Sequence, residues 1–398
     1  CFLSQLAYNS EILSKFALSK LTFMIIRQLQ ERIETRMFAG KAIIVIGARQ
    51  VGKSTLFRMI IDKQNLPTLQ LNCDEPETRD MLSNTNIANL RLLIANNRIV
   101  MIDEAQRVEN IGMTLKLITD NFPDVQLLVT GSSSFELQDK LNEPLTGRKF
   151  EYHLFPISTA EILNSQGLMK VNQTLEQRLI FGSYPDIITH AEDAKELLTN
   201  LAGSYLYKDL LSLDSVRRPT LLSKILTALA LQVCSEVSYN EIAQIVGTDN
   251  KTVEKYIDLL EKCYIIFKLS AFNRNLRTEL KKSKKIYFYD NGVRNAILNN
   301  FAPLSLRQDT GALWENFIIS ERIKANQYSS RYANSYFWRT TTQQEIDYIE
   351  ECDGQFSLFE MKWNPRRSNT KFPASFESAY DVKEKFVVTP EHWIEYLI

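Results

Sequence analysis

Two sets of residues in this chain have the types and spacing for phosphate chemistry. The first is GARQVGKST, residues 47–55, where Gly47, Gly52, Lys53 and Ser54 fit the pattern G-x-x-x-x-G-K-[ST]. Glycines let backbone N–H groups wrap a β-phosphate, and a helix starting at the loop adds partial positive charge. Lys53 would reach the β- and γ-phosphates, and the Ser54 hydroxyl would ligate Mg²⁺. The loop Gly47, Ala48, Arg49, Gln50, Val51, Gly52, Lys53, Ser54, Thr55 is thus the expected seat of ATP. The second set is Glu315, Asp347, Glu360 and Lys362, three carboxylates and an ammonium near the end of the chain.

Elements that could position the first set lie on both sides of it. KAIIVI (41–46) is a short apolar strand, and Lys53 onward reads as a helix. RIVMIDEAQ (98–106) is a second apolar strand ending in Asp103-Glu104. Acids at the carboxyl end of a buried parallel strand face the crevice where α/β sheets bind ligands. Asp103 would hold Mg²⁺ through water, and Glu104 would orient or deprotonate the attacking water. VQLLVTGSSS (125–134) places Thr130 at a third strand end, where a hydroxyl could sense a γ-phosphate or hold that water. In LTGRKF (145–150), Arg148 is a candidate finger for a neighbouring subunit of a homo-oligomer, or a sensor in cis.

The second set depends on a hairpin. ECDGQF (351–356) puts Asp353-Gly354 between two strand-like runs, a strong two-residue turn signal. That turn pairs Cys352 with Gln355, so partner numbers sum to 707. Asp347 then faces Glu360 and Glu345 faces Lys362. Ile349 and Leu358 pair one layer away, which argues for partial burial. Opposed side chains lie roughly 5 Å apart at Cβ, and like charges so placed repel unless a cation offsets them. Asp347 and Glu360 are therefore candidate metal ligands. Upstream, GALWENFIISERIKA (311–325) reads as an amphipathic helix carrying Glu315.

Between the two sets, TLLSKILTALALQV (220–233), SYNEIAQIVG (238–247) and TDNKTVEKYIDLLEKC (248–263) read as helices. Ser238 with Glu241 forms a capping-box pattern, and Gly247 is a stop. The strands YIIFKLSAF (264–272) and KKIYFYD (284–290) follow. Three helices and a β-hairpin are the winged helix-turn-helix order, with Lys251 and Lys255 on the helix that would enter a major groove. The connection RNLRTELKKSKK (274–285) carries Arg274, Arg277, Lys281, Lys282, Lys284 and Lys285 against one acid. Such a basic wing suits phosphate contact with DNA. Winged helices also dock on partner proteins, and that alternative stays open.

The 398-residue length calls for two or three domains, and 44% hydrophobic with 24% charged residues is a globular composition. Zero net charge excludes a global field towards nucleic acid, so any DNA contact must be a local patch. The five scattered cysteines form no zinc or disulfide spacing, which suits a reducing cytoplasm. No apolar run reaches the ~20 residues of a membrane span. Residues 1–23 lack a signal-peptide pattern and read as a helical extension, or as upstream sequence ahead of a start near Met24.

Together, GARQVGKST, IDEAQRV, TGSSS and LTGR resemble the AAA+ ATPases. With LFPISTAEI (154–162) they resemble more closely a bacterial and archaeal family that fuses this ATPase to a C-terminal domain of uncharacterised function. GSYPDII (182–188) is similar to that clade's lid motif, which would put Pro185 near the nucleotide base. The order helix Glu, strand Asp, Glu-x-Lys resembles the PD-(D/E)XK nuclease fold, although Ile346 stands where a proline is usual. That resemblance implies a Mg²⁺ site and a lysine that stabilises developing charge, or else an inactive module that binds DNA or protein. The expected α/β architecture is an ATPase core at 24–155, a helical lid at 156–218, a winged helix at 219–290 and a nuclease-like domain at 291–398.

Overall fold

The structure is a computed structural model that describes residues 25–131, 144–205, 218–273, 284–340 and 342–397. Two sheets organise it. The first holds five parallel strands in the order β2-β3-β4-β1-β5: β1 (Ala42–Ile46), β2 (Thr68–Asn72), β3 (Ile99–Asp103), β4 (Gln126–Gly131) and β5 (Lys149–His153). This is the expected P-loop core. The central strands β1 and β4 are buried throughout, as their continuous apolar runs require.

Helices cover both faces of this sheet: α1 (Gln28–Glu34), α2 (Lys53–Gln64), α3 (Pro76–Leu82), α4 (Ile87–Ile94) and α5 (Ile111–Asn121). Two apolar clusters result. Leu56, Phe57 and Ile60 of α2 pack with Ile43 and Val45, while Leu115 and Ile118 of α5 pack with Ile44 and Val129. The alternation of β1 between the two clusters is the strand period read directly as packing.

Four short helices follow, α6 (Thr159–Gln173), α7 (Leu175–Phe181), α8 (Pro185–Thr189) and α9 (Ala194–Asn200). Ser158 and Glu161 close a reciprocal capping box at the start of α6. Next come α10 (Pro219–Leu231), β6 (Glu236–Val237), α11 (Tyr239–Val246), α12 (Asn250–Lys262), β7 (Ile266–Ala271) and β8 (Lys284–Phe288). The expected order of helices and hairpin is present. Ser238 caps α11, whose end Gly247 closes with φ 73°.

The second sheet differs from the expected division of the chain. Its order is β12-β11-β10-β9-β7-β8-β6, with β9 (Asn334–Arg339), β10 (Glu345–Cys352), β11 (Gln355–Met361) and β12 (Val382–Val388). The hairpin β7–β8 joins this sheet through the parallel pairing of β7 with β9. A boundary at residue 290 therefore falls between elements of one folded unit. Two helices, α13 (Asn291–Ile297) and α14 (Thr310–Tyr328), complete that unit.

The β10–β11 register runs from Tyr348↔Phe359 to Cys352↔Gln355, so every pair sums to 707. Ile349 and Leu358 are directly paired and fully buried.

Candidate functional site

At the carboxyl edge of the parallel sheet, Gly47 follows β1 and Gly52 precedes α2 with φ 93°. A Cβ on Gly47 would stand 2.2 Å from the Leu154 carbonyl oxygen, so only glycine fits there. The Lys53 ammonium donates to the carbonyls of Gly47 and Ala48 at 3.0 and 2.9 Å, and the side chain is buried. It is poised inside the loop that phosphates would fill. Ser54 Oγ donates to Asp103 Oδ2 at 2.7 Å, which joins the loop to the acid tip of β3. Hydroxyl and carboxylate oxygens at that place are the hard donors Mg²⁺ prefers, so the residues fit the ion expected with a nucleotide.

Glu104 sits next to Asp103 in a left-handed conformation, φ 54°, and accepts a bond from Gln106 Nε2. Thr130 is fully buried; its hydroxyl donates to Asp103 Oδ1 and accepts from the Glu104 amide at 3.2 Å. It thus joins the two acids at the end of β3. Pro185, which opens α8, would lie 3.9 Å from a Cβ on Gly52, so the lid motif does reach the loop. A cavity of about 240 Å³ beside them is lined by Gln50, Tyr184, Ile187, Leu197 and Asn200.

Arg148 is not brought to this site. Its carbonyl accepts from Ala42, the first residue of β1, and its guanidinium pairs with Asp120 at 2.6 Å. It lies at the amino edge of the sheet, about 16 Å along β1 from the loop. The cis sensor reading is corrected accordingly. Ser132 lies outside the described residues.

Sequence reasoning missed a buried arginine that braces the loop. Arg27, just ahead of α1, donates to the carbonyls of Val51 and Phe155, each at 2.6 Å, and to Glu161 at 3.0 Å. Burial opposes its charge, but Glu161 and Tyr328 more than restore it, so it stays charged. His153 ends β5 beside Gly47. Its ring packs 3.9 Å from both Phe155 and Tyr264, and its Nε2 is buried without a hydrogen bond. Burial, then the Lys53 charge, push its pKa down to about 3.

The second set converges as the 707 register requires. Asp347 Oδ2 accepts from the Met361 amide at 2.8 Å, and Lys362 Nζ lies 2.6 Å from Glu360 and 3.9 Å from Asp347. From α14, Glu315 accepts from the Tyr287 hydroxyl at 2.8 Å. Burial and then the Asp347 charge raise the Glu315 pKa to about 8. Burial also raises Asp347 and, with the Asp347 charge, Glu360. Lys285 opposes the rise at Glu315 and Asp347, and Lys362 opposes it at Asp347 and Glu360.

Two expectations here need correction. Glu345 does not face Lys362; β11 ends at Met361, and the Lys362 amide turns to the Val388 carbonyl of β12. Lys285 is not on a DNA-facing wing. It is 2% exposed and pairs with Glu345 at 2.6 Å and Glu315 at 3.4 Å, inside the acidic centre. Lysine is almost never so buried unless paired, and β8 carries this one into the middle of a sheet. Among the described residues no three acidic, histidine or cysteine side chains stand grouped to hold a metal.

Lys251 and Lys255 are exposed on α12, and Lys284 is partly buried on β8. Helix α12 is not a basic stripe, since Glu254, Asp258 and Glu261 alternate with its lysines. Arg274, Arg277, Lys281 and Lys282 lie outside the described residues.

Three family models match the chain. Residues 39–163 match the family described as AAA domain, 172–304 a domain of unknown function (DUF8612), and 310–395 another (DUF4143). The chain thus carries a P-loop domain of the AAA class, followed by a C-terminal DUF4143 region. An uncharacterized protein of Mycobacterium tuberculosis is 26% identical over 384 residues, 94% of this chain and 81% of its own. An uncharacterized protein of Methanocaldococcus jannaschii is 23% identical, covering 80% of this chain and 73% of its own. Among solved structures, the RuvB Holliday junction branch migration motor of Thermotoga maritima aligns over 70% of this chain and 96% of its own. That alignment has 15% identity and a TM-score of 0.33. No described helix is long and apolar enough to cross a membrane.

Proposed function

We propose that the chain is a Mg²⁺-dependent ATPase whose nucleotide cycle acts on a C-terminal phosphodiester-cleaving centre that works on DNA. The observation that carries the first half is the Ser54–Asp103 bond, with Lys53 held between the loop carbonyls. Ser54 and Asp103 would hold Mg²⁺ there, which would neutralise the charge that develops on the phosphates. Lys53 would leave its carbonyls for the phosphates, Thr130 keeps Asp103 aimed, and Glu104 orients the attacking water. Lys53→Ala is expected to abolish nucleotide binding, measured by calorimetry. Glu104→Gln is expected to bind ATP and release no phosphate; full hydrolysis by that variant removes Glu104 from the base role.

What supports the reading of the second half is that Asp347 and Glu360 both lie against Lys362. A divalent cation held by these acids would offset their repulsion and activate a water for attack on a phosphodiester. Lys362 would hold the charge that develops on the phosphate. The winged-helix order and the exposed Lys251 and Lys255 support DNA as the substrate, while docking on a protein is the alternative. Asp347→Asn is expected to abolish Mn²⁺-dependent cleavage of single- and double-stranded DNA and to leave DNA binding intact. Absence of cleavage by wild type would favour the docking alternative.

A further inference from the structure

We infer that the turn at residues 364–371, which leads out of β11 just beyond Lys362, is a phosphate-contact surface that holds the backbone of DNA beside the C-terminal carboxylates. The inference rests on the reading of DNA as the substrate and not on a metal; it adds the surface that the DNA occupies.

Residues 361–376 carry the cations Lys362, Arg366, Arg367 and Lys371 and no acid. Other cations of this folded unit are matched: Arg322 pairs with Glu350, Arg339 with Glu236 and Lys385 with Glu377. Arg366, Arg367 and Lys371 are exposed, and among the described residues none of the three pairs with a carboxylate. Their charge is left for a partner, whereas on α12 the acids Glu254 and Asp258 are interleaved with Lys251 and Lys255.

A basic loop that serves only to keep the chain in solution needs no fixed shape. This one is pinned at both ends. Trp363 packs on Trp314 with ring centroids 5.6 Å apart, and Phe372 packs on the apolar cluster of Ile346, Leu358 and Phe376. Between them Pro365–Arg367 makes one 3₁₀ turn. The Asn364 side chain accepts from the Arg366 amide at 3.1 Å, and the Thr370 hydroxyl donates to the Arg367 carbonyl at 2.7 Å. The amides of Arg367 and Ser368 donate to the carbonyls of Asn364 and Pro365, each at 3.0 Å. The turn thus satisfies its own backbone and leaves the guanidinium groups to solvent. A surface already fixed in shape loses less entropy on binding, and the planar fork of arginine matches phosphate oxygens.

The position of the turn names its role. Carboxylates repel a phosphate backbone, so a strand brought to Asp347 and Glu360 needs cations close by to hold it. Arg366 is four residues beyond Lys362, at most about 14 Å of chain. One strand of a duplex carries a phosphate every ~3.4 Å along the axis. The turn therefore falls within about four phosphates of Lys362, which stands 2.6 Å from Glu360 and 3.9 Å from Asp347. Contacts to phosphate carry no sequence information, so this surface holds DNA of any sequence.

The test measures the affinity of the full chain for two duplexes of unrelated sequence over a series of salt concentrations. The variant Arg366→Gln, Arg367→Gln, Lys371→Gln is expected to melt as wild type does, since all three side chains are exposed. It is expected to bind both duplexes more weakly and to lower the log–log salt slope by about 2.7, three contacts at about 0.9 each. Lys170→Gln with Lys195→Gln removes two exposed cations from α6 and α9 as a control for charge alone, and is expected to keep the slope. A turn variant with the wild-type slope overturns the inference and leaves the DNA reading standing. An equal fall per charge in the control also overturns it, because net charge and not this surface then governs binding. A fall for only one of the two duplexes overturns it too, since phosphate contacts cannot tell them apart. Wild type that binds neither duplex overturns the inference and the DNA reading together.

Discussion

Replacing His153 with phenylalanine should make the protein more resistant to acid, because the buried imidazole is held neutral. The ring lies between Phe155 and Tyr264 with Tyr289 5.9 Å away, and no acceptor or donor meets its Nε2. Burial and the nearby Lys53 charge depress its pKa from 6.5 to about 3. Above pH 6.5 neither the folded nor the unfolded chain protonates this group, and its contribution is fully present. As pH falls, the unfolded chain takes up a proton that the folded chain refuses, so stability is lost progressively down to about pH 3. At pH 5 the loss is about 2 kcal/mol. Phenylalanine has no such term and nearly the same shape. The assay is urea unfolding followed by circular dichroism at pH 7.5, 6 and 5 for wild type and His153→Phe. The stability difference between the two proteins should shift by about 2 kcal/mol in favour of the variant from pH 7.5 to 5. An unchanged difference would mean that the ring finds a proton acceptor or reaches water, and the argument from burial would fall.

Gly292→Ala should detach α13 from α7, since a Cβ there would stand 2.1 Å from the Phe181 carbonyl oxygen; a loss of several kcal/mol, on the order of an overpacked core, is expected from thermal melts. Arg148→Ala should leave the nucleotide affinity of the isolated chain unchanged in calorimetry, because its guanidinium is occupied with Asp120 at the far edge of the sheet. Lys251→Ala with Lys255→Ala should lower DNA affinity and flatten its salt dependence by about 0.9 log–log units for each phosphate that is no longer neutralised. An unchanged slope would assign α12 to protein docking. Arg27→Met should raise the KM for ATP by loosening Val51, and Arg27→Lys should restore it only in part, since one ammonium cannot reach three acceptors.

The readable parts of this chain are those set by local rules. The phosphate loop needs glycine at two fixed places, and its strand and helix are continuous in sequence. The hairpin register follows from one Asp353-Gly354 turn, because each residue added to one strand has a single partner on the other. What is not readable comes from distant pairing. Arg27 lies 24, 128 and 134 residues from its three partners, and nothing in its own neighbourhood marks it. Lys285 reads as part of a basic run, although KKIYF is a strand and a lysine followed by Ile286, Tyr287 and Phe288 is carried inward with them. The signal is the apolar company it keeps, outweighed by the charge of the residues before it. The joining of β7 to β9 escapes for the same reason as Arg27: parallel pairing leaves no turn to be read.

The two candidate centres are linked by one helix. α14 runs 19 residues, about 28 Å, with Glu315 near one end and Tyr328 at the other. The Tyr328 hydroxyl accepts from the Phe155 amide, and the Phe155 carbonyl accepts from Arg27, which also holds Val51 of the phosphate loop. Midway, Glu321 accepts from the Thr159 amide at 2.6 Å and pairs with Lys324 at 2.7 Å and Arg178 at 3.4 Å, all deeply buried. Thr159 opens α6 and Arg178 lies in α7, so the lid is tied to the middle of this helix. From α13, Asn295 donates to the carbonyls of Leu179 and Ile180, and Asp290, ahead of that helix, accepts from Ser183. Removing one partner from a buried ion pair costs about 3–5 kcal/mol, more than thermal motion supplies, so these contacts hold or break together. Under the proposed nucleotide cycle, movement of α6–α8 would be passed to α14 through these contacts. Glu315 rides on that helix, whereas Asp347 and Glu360 sit on strands. The distance that such a movement would change is the one between the helix carboxylate and the strand pair.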